Sequence, residues 1–275
     1  MDINNEYGLK RLQEELLAMM KDIDEICRKN GIKYCLTGGS VLGAVRHKGF
    51  IPWDDDLDIA MLKEEYEKFC EIAPEAFKGT KYFLQNIDTE KEYNLPFAKI
   101  RNSETTDISE QHKKKNINHG IWIDVFIIDA VSKNRFKQFL QRKSSAVIYA
   151  AWSRDENLST IKKGVINLCC KIFGEKQFIK GICKLTRGEK TEYSKYVAAI
   201  DGRAGYIKET MPKEFYTEHI LATFEDVKFP IPKQFDAFLS RLYGDYMTPP
   251  PYEKRGKDMH KAYILDLNKS YREYM

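Results

Sequence analysis

The chain has 275 residues and 43% hydrophobic content, enough for a sizeable core in one elaborated domain or a catalytic domain with a smaller companion. Its 45 basic and 41 acidic residues leave a formal charge of +4, too little for net basicity to argue for nucleic-acid binding, although local clusters can meet an anionic substrate. No apolar run reaches membrane-spanning length, MDINNEYGLKRLQEELL carries no apolar leader, and the six cysteines form neither a CxxC pair nor a zinc-finger pattern; the expectation is a soluble cytoplasmic protein with reduced core thiols.

In chain order, apolar residues at helical spacing predict a helix over 9–28, stopped by Asn30-Gly31. Residues 32–36 read as a strand, Thr37-Gly38-Gly39-Ser40 as the turn that breaks it, and VLGAVRH as a helix of about two turns. Pro52 forces an extended approach to a strand over 57–62, and a helix follows over 63–72. Further strands are predicted at 82–85, 97–101 and 121–128, with 102–119 as a polar separator. Beyond Ser132, FKQFLQRKSSAVIYAAW and GVINLCCKIFGEKQFIKGICKL are amphipathic helices, and 224–251 reads as a short hairpin, a helix and a proline stop. The expected fold is α/β of the α+β kind: a mixed-sheet core with flanking helices over 1–131, and a mainly helical C-terminal region over 132–275 that packs on the core and completes the substrate site.

The chemistry concentrates between Tyr34 and Ala60. On a strand, Asp56 and Asp58 point to one face while Leu57 and Ile59 point to the other. Two like charges side by side call for a cation, and magnesium held by carboxylates and substrate phosphate suits them. The alternative is a solvated acidic run, since Asp54-Asp55-Asp56 also reads that way. Asp124, set within the apolar IWIDVFII, needs a partner if buried, either a cation or an arginine or backbone amides. The Gly38-Gly39-Ser40 turn, between strand and helix, suits phosphate, although it is neither GxGxxG nor a P-loop. Arg46, His47 and Lys48 precede the acidic run, and Lys99 and Arg101 share one strand face, where they can neutralise a diphosphate. Lys113-Lys114-Lys115 reads as surface.

GGSVLGAVRHKGFIPWDDDLDIAM, followed by FAKIRNSETT, GIWIDVFIID and YGDYMTPPP, resembles the LicD family of phosphocholine transferases, related to fukutin-type phosphotransferases. The resemblance implies a nucleotidyltransferase-like fold. It makes Gly38, Gly39 and Ser40 a phosphate-binding turn, and Asp56, Asp58 and Asp124 the catalytic metal ligands for Mg2+, with Mn2+ as the alternative ion. Arg46, His47, Lys99 and Arg101 become substrate-binding residues, and Asp124 the candidate base. Roles for Asp54, Asp55, Arg255 and His260 stay open. The implied reaction moves phosphocholine from CDP-choline to a hydroxyl of a glycan or glycolipid, such as a lipopolysaccharide or teichoic acid precursor, and releases CMP. Peripheral membrane contact through a lipid-linked acceptor is part of that expectation. Phosphoethanolamine, glycerol phosphate or ribitol phosphate would use the same machinery; rival readings are a nucleotidyltransferase attaching NMP and a degenerate nucleotide-binding scaffold. Trp53, Trp122, Trp152 and the tyrosines are the candidates for an aromatic cage around a quaternary ammonium, so choline rests on the resemblance and not on these residues.

Overall fold

A computed structural model describes residues 7–110, 112–153, 160–187, 189–256, 260 and 262–275. Helix α1 (Lys10–Lys29) buries Leu12, Leu16, Met19, Met20, Ile23 and Cys27 along one stripe, and Arg28 and Lys29 complement the negative end of its dipole. After it, the Ile32 amide turns back to the Cys27 carbonyl and the Lys33 amide donates to Glu65. Only Cys35–Leu36 of the expected strand over 32–36 therefore pairs, as β1.

Helix α2 (Gly38–Leu42) widens into a π-helical turn over Gly43–His47, so the expected glycine turn is the first turn of the helix itself. Strand β2 (Asp58–Leu62) leads directly into α3 (Lys63–Ala76). That helix was expected to stop at 72 but runs through Pro74, because a proline in the last turn forfeits only one backbone bond. Strands β3 (Tyr82–Gln85), β4 (Ala98–Asn102), β5 (Thr106–Ser109) and β6 (Trp122–Ala130) follow. Next come the helices α4 (Arg135–Ser153), α5 (Thr160–Phe173) and α6 (Glu175–Thr186). The chain then forms β7 (Tyr196–Ala198), α7 (Tyr206–Glu209), β8 (Thr210–Pro212), the hairpin of β9 (His219–Phe224) and β10 (Val227–Pro232), α8 (Phe235–Tyr243) and β11 (Ala262–Asp266).

The main sheet is mixed and runs β1-β2-β6-β4-β3, with β7 added to β6 and β8 to β7, in keeping with the expected α+β class. Strands β2 and β6 are parallel; their other neighbours pair antiparallel. Ile59, Ala98, Ile100, Ile123 and Val125 fill one face and are sealed from solvent beneath α1 and α3. The segment expected as a polar separator contains β5, whose partner is β11 from the far end of the chain. Among the described residues no helix is long and apolar enough to cross a membrane. Cys27 and Cys35 are buried free thiols, each pushed up to about 12 by burial, whereas Cys70, Cys169, Cys170 and Cys183 are only half-buried.

A buried ionic triad joins the end of α6 to the sheet. Arg187 reaches Asp129 of β6 at 3.3 Å and Asp201 at 2.8 Å, and its carbonyl accepts from Lys63 at 2.7 Å. Burial pushes the Asp129 carboxyl up to about 7, with Arg187 opposing that rise. Arg187→Met leaves two buried carboxylates without their cation and is expected to destabilise the fold by about 3 to 5 kcal/mol. Urea unfolding measures it, and a loss below about 1 kcal/mol would show that the triad does not tie α6 to the sheet.

Candidate active site

Residues in register across a sheet project to the same side, so β2, β6, β4 and β3 set Asp58, Asp124, Lys99 and Gln85 in one row. Two residues along, on the same face, Trp122, Arg101 and Phe83 form a second row. Lys99 Nζ donates to Asp124 Oδ1 at 2.5 Å, and Trp122 Nε1 donates to Asp124 Oδ2 at 3.0 Å. The partner that a buried Asp124 required is thus a lysine and an indole. Arg101 lies deeper, donating to Gln85 Oε1 at 2.7 Å and to the Gly120 carbonyl at 2.6 Å.

Asp58 has no such compensation: its Oδ1 is buried without a hydrogen-bond partner. Burial first, then the negative charges of Asp56, Asp124 and Asp54, push its carboxyl well above the usual range. Burial likewise raises Asp56, with His260 opposing and Asp55 and Asp124 reinforcing the rise. Strand β2 begins at Asp58, so Asp56 lies in the loop ahead of it and not on the strand where it was expected; the two carboxylates still act on each other.

Helix α2 closes this side of the site. The Asp58 amide donates to Ser40 Oγ at 2.9 Å, so the serine hydroxyl binds the strand that carries the carboxylate. Gly38 sits at φ 53°, where a Cβ would stand 3.7 Å from both Asp58 Oδ2 and Tyr243 Oη; a Cβ on Gly39 would come within 2.9 Å of Asp54 Oδ2. The glycines thus let backbone lie directly against the carboxylates. Gln13 of α1 donates to the Asp54 carbonyl at 2.8 Å and fixes the acidic loop.

The C-terminal half supplies residues that the sequence reading left open or passed over. Pairing of β11 with β5 brings His260 to the loop: its amide donates to Asp55 Oδ2 at 2.6 Å, and its Nδ1 lies 3.2 Å from Asp55 and 3.9 Å from Asp56. Asp55, Asp56 and His260 offer ligand atoms within 4.8 Å of one another. Tyr243 ends α8, which packs on α2; burial, then Asp58 and Asp54, raise its phenol. On the other flank, burial and the nearby Arg255 lower the Arg46 guanidinium, with Asp54 opposing that shift. Arg255 also stands 4.6 Å over the Trp53 ring, which meets His47 edge-on at 5.9 Å. Trp122 is likewise covered, by Lys99 at 4.3 Å and Arg101 at 4.5 Å. Cations of the protein itself therefore occupy two of the indoles considered for a cage, and the Trp152 side chain lies outside the described residues.

Two adjacent carboxylates on a sheet, Asp58 and Asp124, are thus backed by a glycine-led helix and flanked by basic groups. Residues 31–151 match the family model described as LicD/FKTN/FKRP, nucleotidyltransferase domain, in keeping with the resemblance. The Haemophilus influenzae lipopolysaccharide cholinephosphotransferase LicD is 29% identical over 92% of this chain and 98% of its own length. Human ribitol 5-phosphate transferase FKRP is 35% identical over 78 residues, 28% of this chain and 16% of that protein. An uncharacterized Rickettsia prowazekii protein, RP689, is 41% identical over 37% of this chain and 35% of its own length.

Asp58→Asn removes an uncompensated charge from a crowded site. It is expected to raise the Tm of the protein by roughly 2 to 4 °C; a drop in Tm would mean that the charge is not a liability. For His47, burial, Arg46 and Arg255 hold the imidazole down at about 4. Between about 6.5 and 4 the unfolded chain binds a proton there that the folded chain does not, so this residue erodes stability as pH falls through that window. An NMR titration is expected to find His47 neutral at pH 5.5, and a midpoint near 6.5 would contradict the crowding by Arg46 and Arg255.

Proposed function

We propose that the protein is a metal-dependent transferase that moves phosphocholine from CDP-choline to a hydroxyl of a cell-surface glycan or glycolipid precursor and releases CMP. The observation that carries the metal is Asp58 Oδ1, buried and unpartnered among Asp54, Asp56 and Asp124. A hard divalent cation fits such an all-oxygen donor set. Phosphocholine is favoured because the Haemophilus cholinephosphotransferase is similar along nearly the whole chain, whereas similarity to the ribitol 5-phosphate transferase is confined to 78 residues. A nucleotide-activated donor also implies a cytoplasmic reaction.

In this reading Asp56, Asp58 and Asp124 hold Mg2+ or Mn2+, which supplies charge neutralisation of the diphosphate when bound. Lys99 and Trp122 fix the orientation of Asp124. Arg46 and Arg255 offer two guanidiniums to the donor's phosphates from the opposite flank. The acceptor oxygen bonds to the phosphorus of the alcohol phosphate as the bond to CMP breaks, and CMP departs with the bridging oxygen. Asp124 was the expected proton acceptor. Both its oxygens already accept hydrogen bonds, from Lys99 and Trp122, so it takes the acceptor's proton only as one of those bonds is released.

Incubation with CDP-choline labelled differently in cytidine and choline tests the reading. The expected outcome is free CMP with choline phosphate on the acceptor, dependent on added metal and reduced at least about 100-fold in Asp58→Ala. Cytidine label on the acceptor would establish a nucleotidyltransferase instead, and undiminished turnover in Asp58→Ala would remove Asp58 from the site.

A further inference from the structure

The charge of the chain is strongly segregated. Residues 133–190 carry 14 Lys and Arg against 4 Asp and Glu, while the remainder carries 31 against 37. A net +10 thus resides on the helical segment of a chain whose other residues sum to −6.

That same segment exposes its apolar residues. On α4, Phe136 is 67% and Phe139 52% exposed, and they share a helix face with Lys143, whose ammonium stands 5.4 Å from the Phe139 ring. Arg135, Lys137 and Arg142 are exposed on the same helix. The inward side of α4 is accounted for by Gln141, Ser144 and Ile148, which are buried. Helix α5 is mostly apolar, TIKKGVINLCCKIF, yet none of its described side chains is buried; Leu168 and Ile172 lie one turn apart at 57% and 64% exposure, beside the exposed Lys171. On α6, Leu185 is 75% exposed next to the exposed Lys184. The three helices pack on one another, so these residues belong to one layer.

We infer that the α4–α6 layer is a docking surface for an anionic membrane face, taken up by its basic side chains and entered by Phe136, Phe139, Leu168, Ile172 and Phe173. Two occupants fit less well. A second copy of the chain would set one basic face against another, and a nucleic acid would meet the charge but leave exposed phenylalanine and isoleucine against water and phosphate. An anionic lipid surface satisfies both features, since basic groups sit at the headgroups while apolar side chains reach the acyl boundary. The inference is independent of the transferase reading, because it needs no catalysis.

Sedimentation of the full chain with vesicles tests it. Binding is expected to phosphatidylglycerol-containing vesicles and not to pure phosphatidylcholine, and to weaken as salt is raised. Joint replacement of Phe136, Phe139, Leu168 and Ile172 by serine, with helicity checked by circular dichroism, is expected to weaken that binding about tenfold or more. Charge reversal at Arg135, Arg142, Lys143 and Lys184 is expected to do the same. Failure to bind the anionic vesicles at low salt overturns the inference, as does undiminished binding by both variants. Self-association of the unmodified chain in the ultracentrifuge that the serine substitutions abolish would also overturn it, assigning the face to a second copy.

Discussion

The parallel register of β2 and β6 places Asp58 directly beside Asp124, and much of the surrounding structure can be understood as a response to that contact. Two carboxylates about 5 Å apart repel by about 3 kcal/mol at an effective dielectric of about 20, and Asp54 and Asp56 add to the repulsion. Lys99, next in the row, gives its hydrogen bond to Asp124 and offsets Asp58 and Asp56 only weakly, through space. The fold nevertheless holds the cluster in place: Ser40 grips the Asp58 backbone, Gln13 pins the acidic loop, and His260 clasps Asp55. Such an arrangement spends stability on a fixed set of hard oxygen donors, and a cation with a phosphate ligand is the species that would recover it.

The site is assembled from both ends of the chain. Its carboxylates and Lys99 come from the sheet, but Tyr243 is delivered by α8, Arg255 by the proline-rich stretch after it, and His260 by the approach to β11. Helix α8 packs on α2, and β11 pairs with β5 in a separate two-stranded sheet, so the late segments are held by the helix that opens on the glycine turn and by the strand that follows β4. The buried Arg187 triad fastens the intervening helices to β6, the strand that carries Asp124. That route leaves α4–α6 as an outer layer, which is why its apolar and basic residues meet solvent.

Much of the sheet was legible locally. Strand 82–85 is found at its expected limits, and α1, β2, β4 and β6 within a residue or two, because alternation and helical spacing report which face meets the core. The failures have specific causes. Strand 32–36 shortened because its first amides close α1 and bind Glu65, and β5 was invisible because TDIS becomes a strand only through a partner more than 150 residues later. Asp58, Asp124 and Lys99 were identifiable as residues, but their alignment in one row depends on pairing order. The partners of Asp124 and the cations over Trp53 and Trp122 depend on it too, so no local pattern could have announced them. Tyr243 had a signal in YGDYMTPPP, a motif tied to the resemblance without a role for its tyrosine.

The claim on which the rest turns is that the carboxylates around Asp58 form a cation site. Anomalous diffraction from a crystal soaked in Mn2+ tests it directly. The account predicts a peak within bonding distance of Asp58 Oδ1 and shared with Asp56. A peak confined to Asp55 and His260, or none in the cluster at saturating metal, would contradict it.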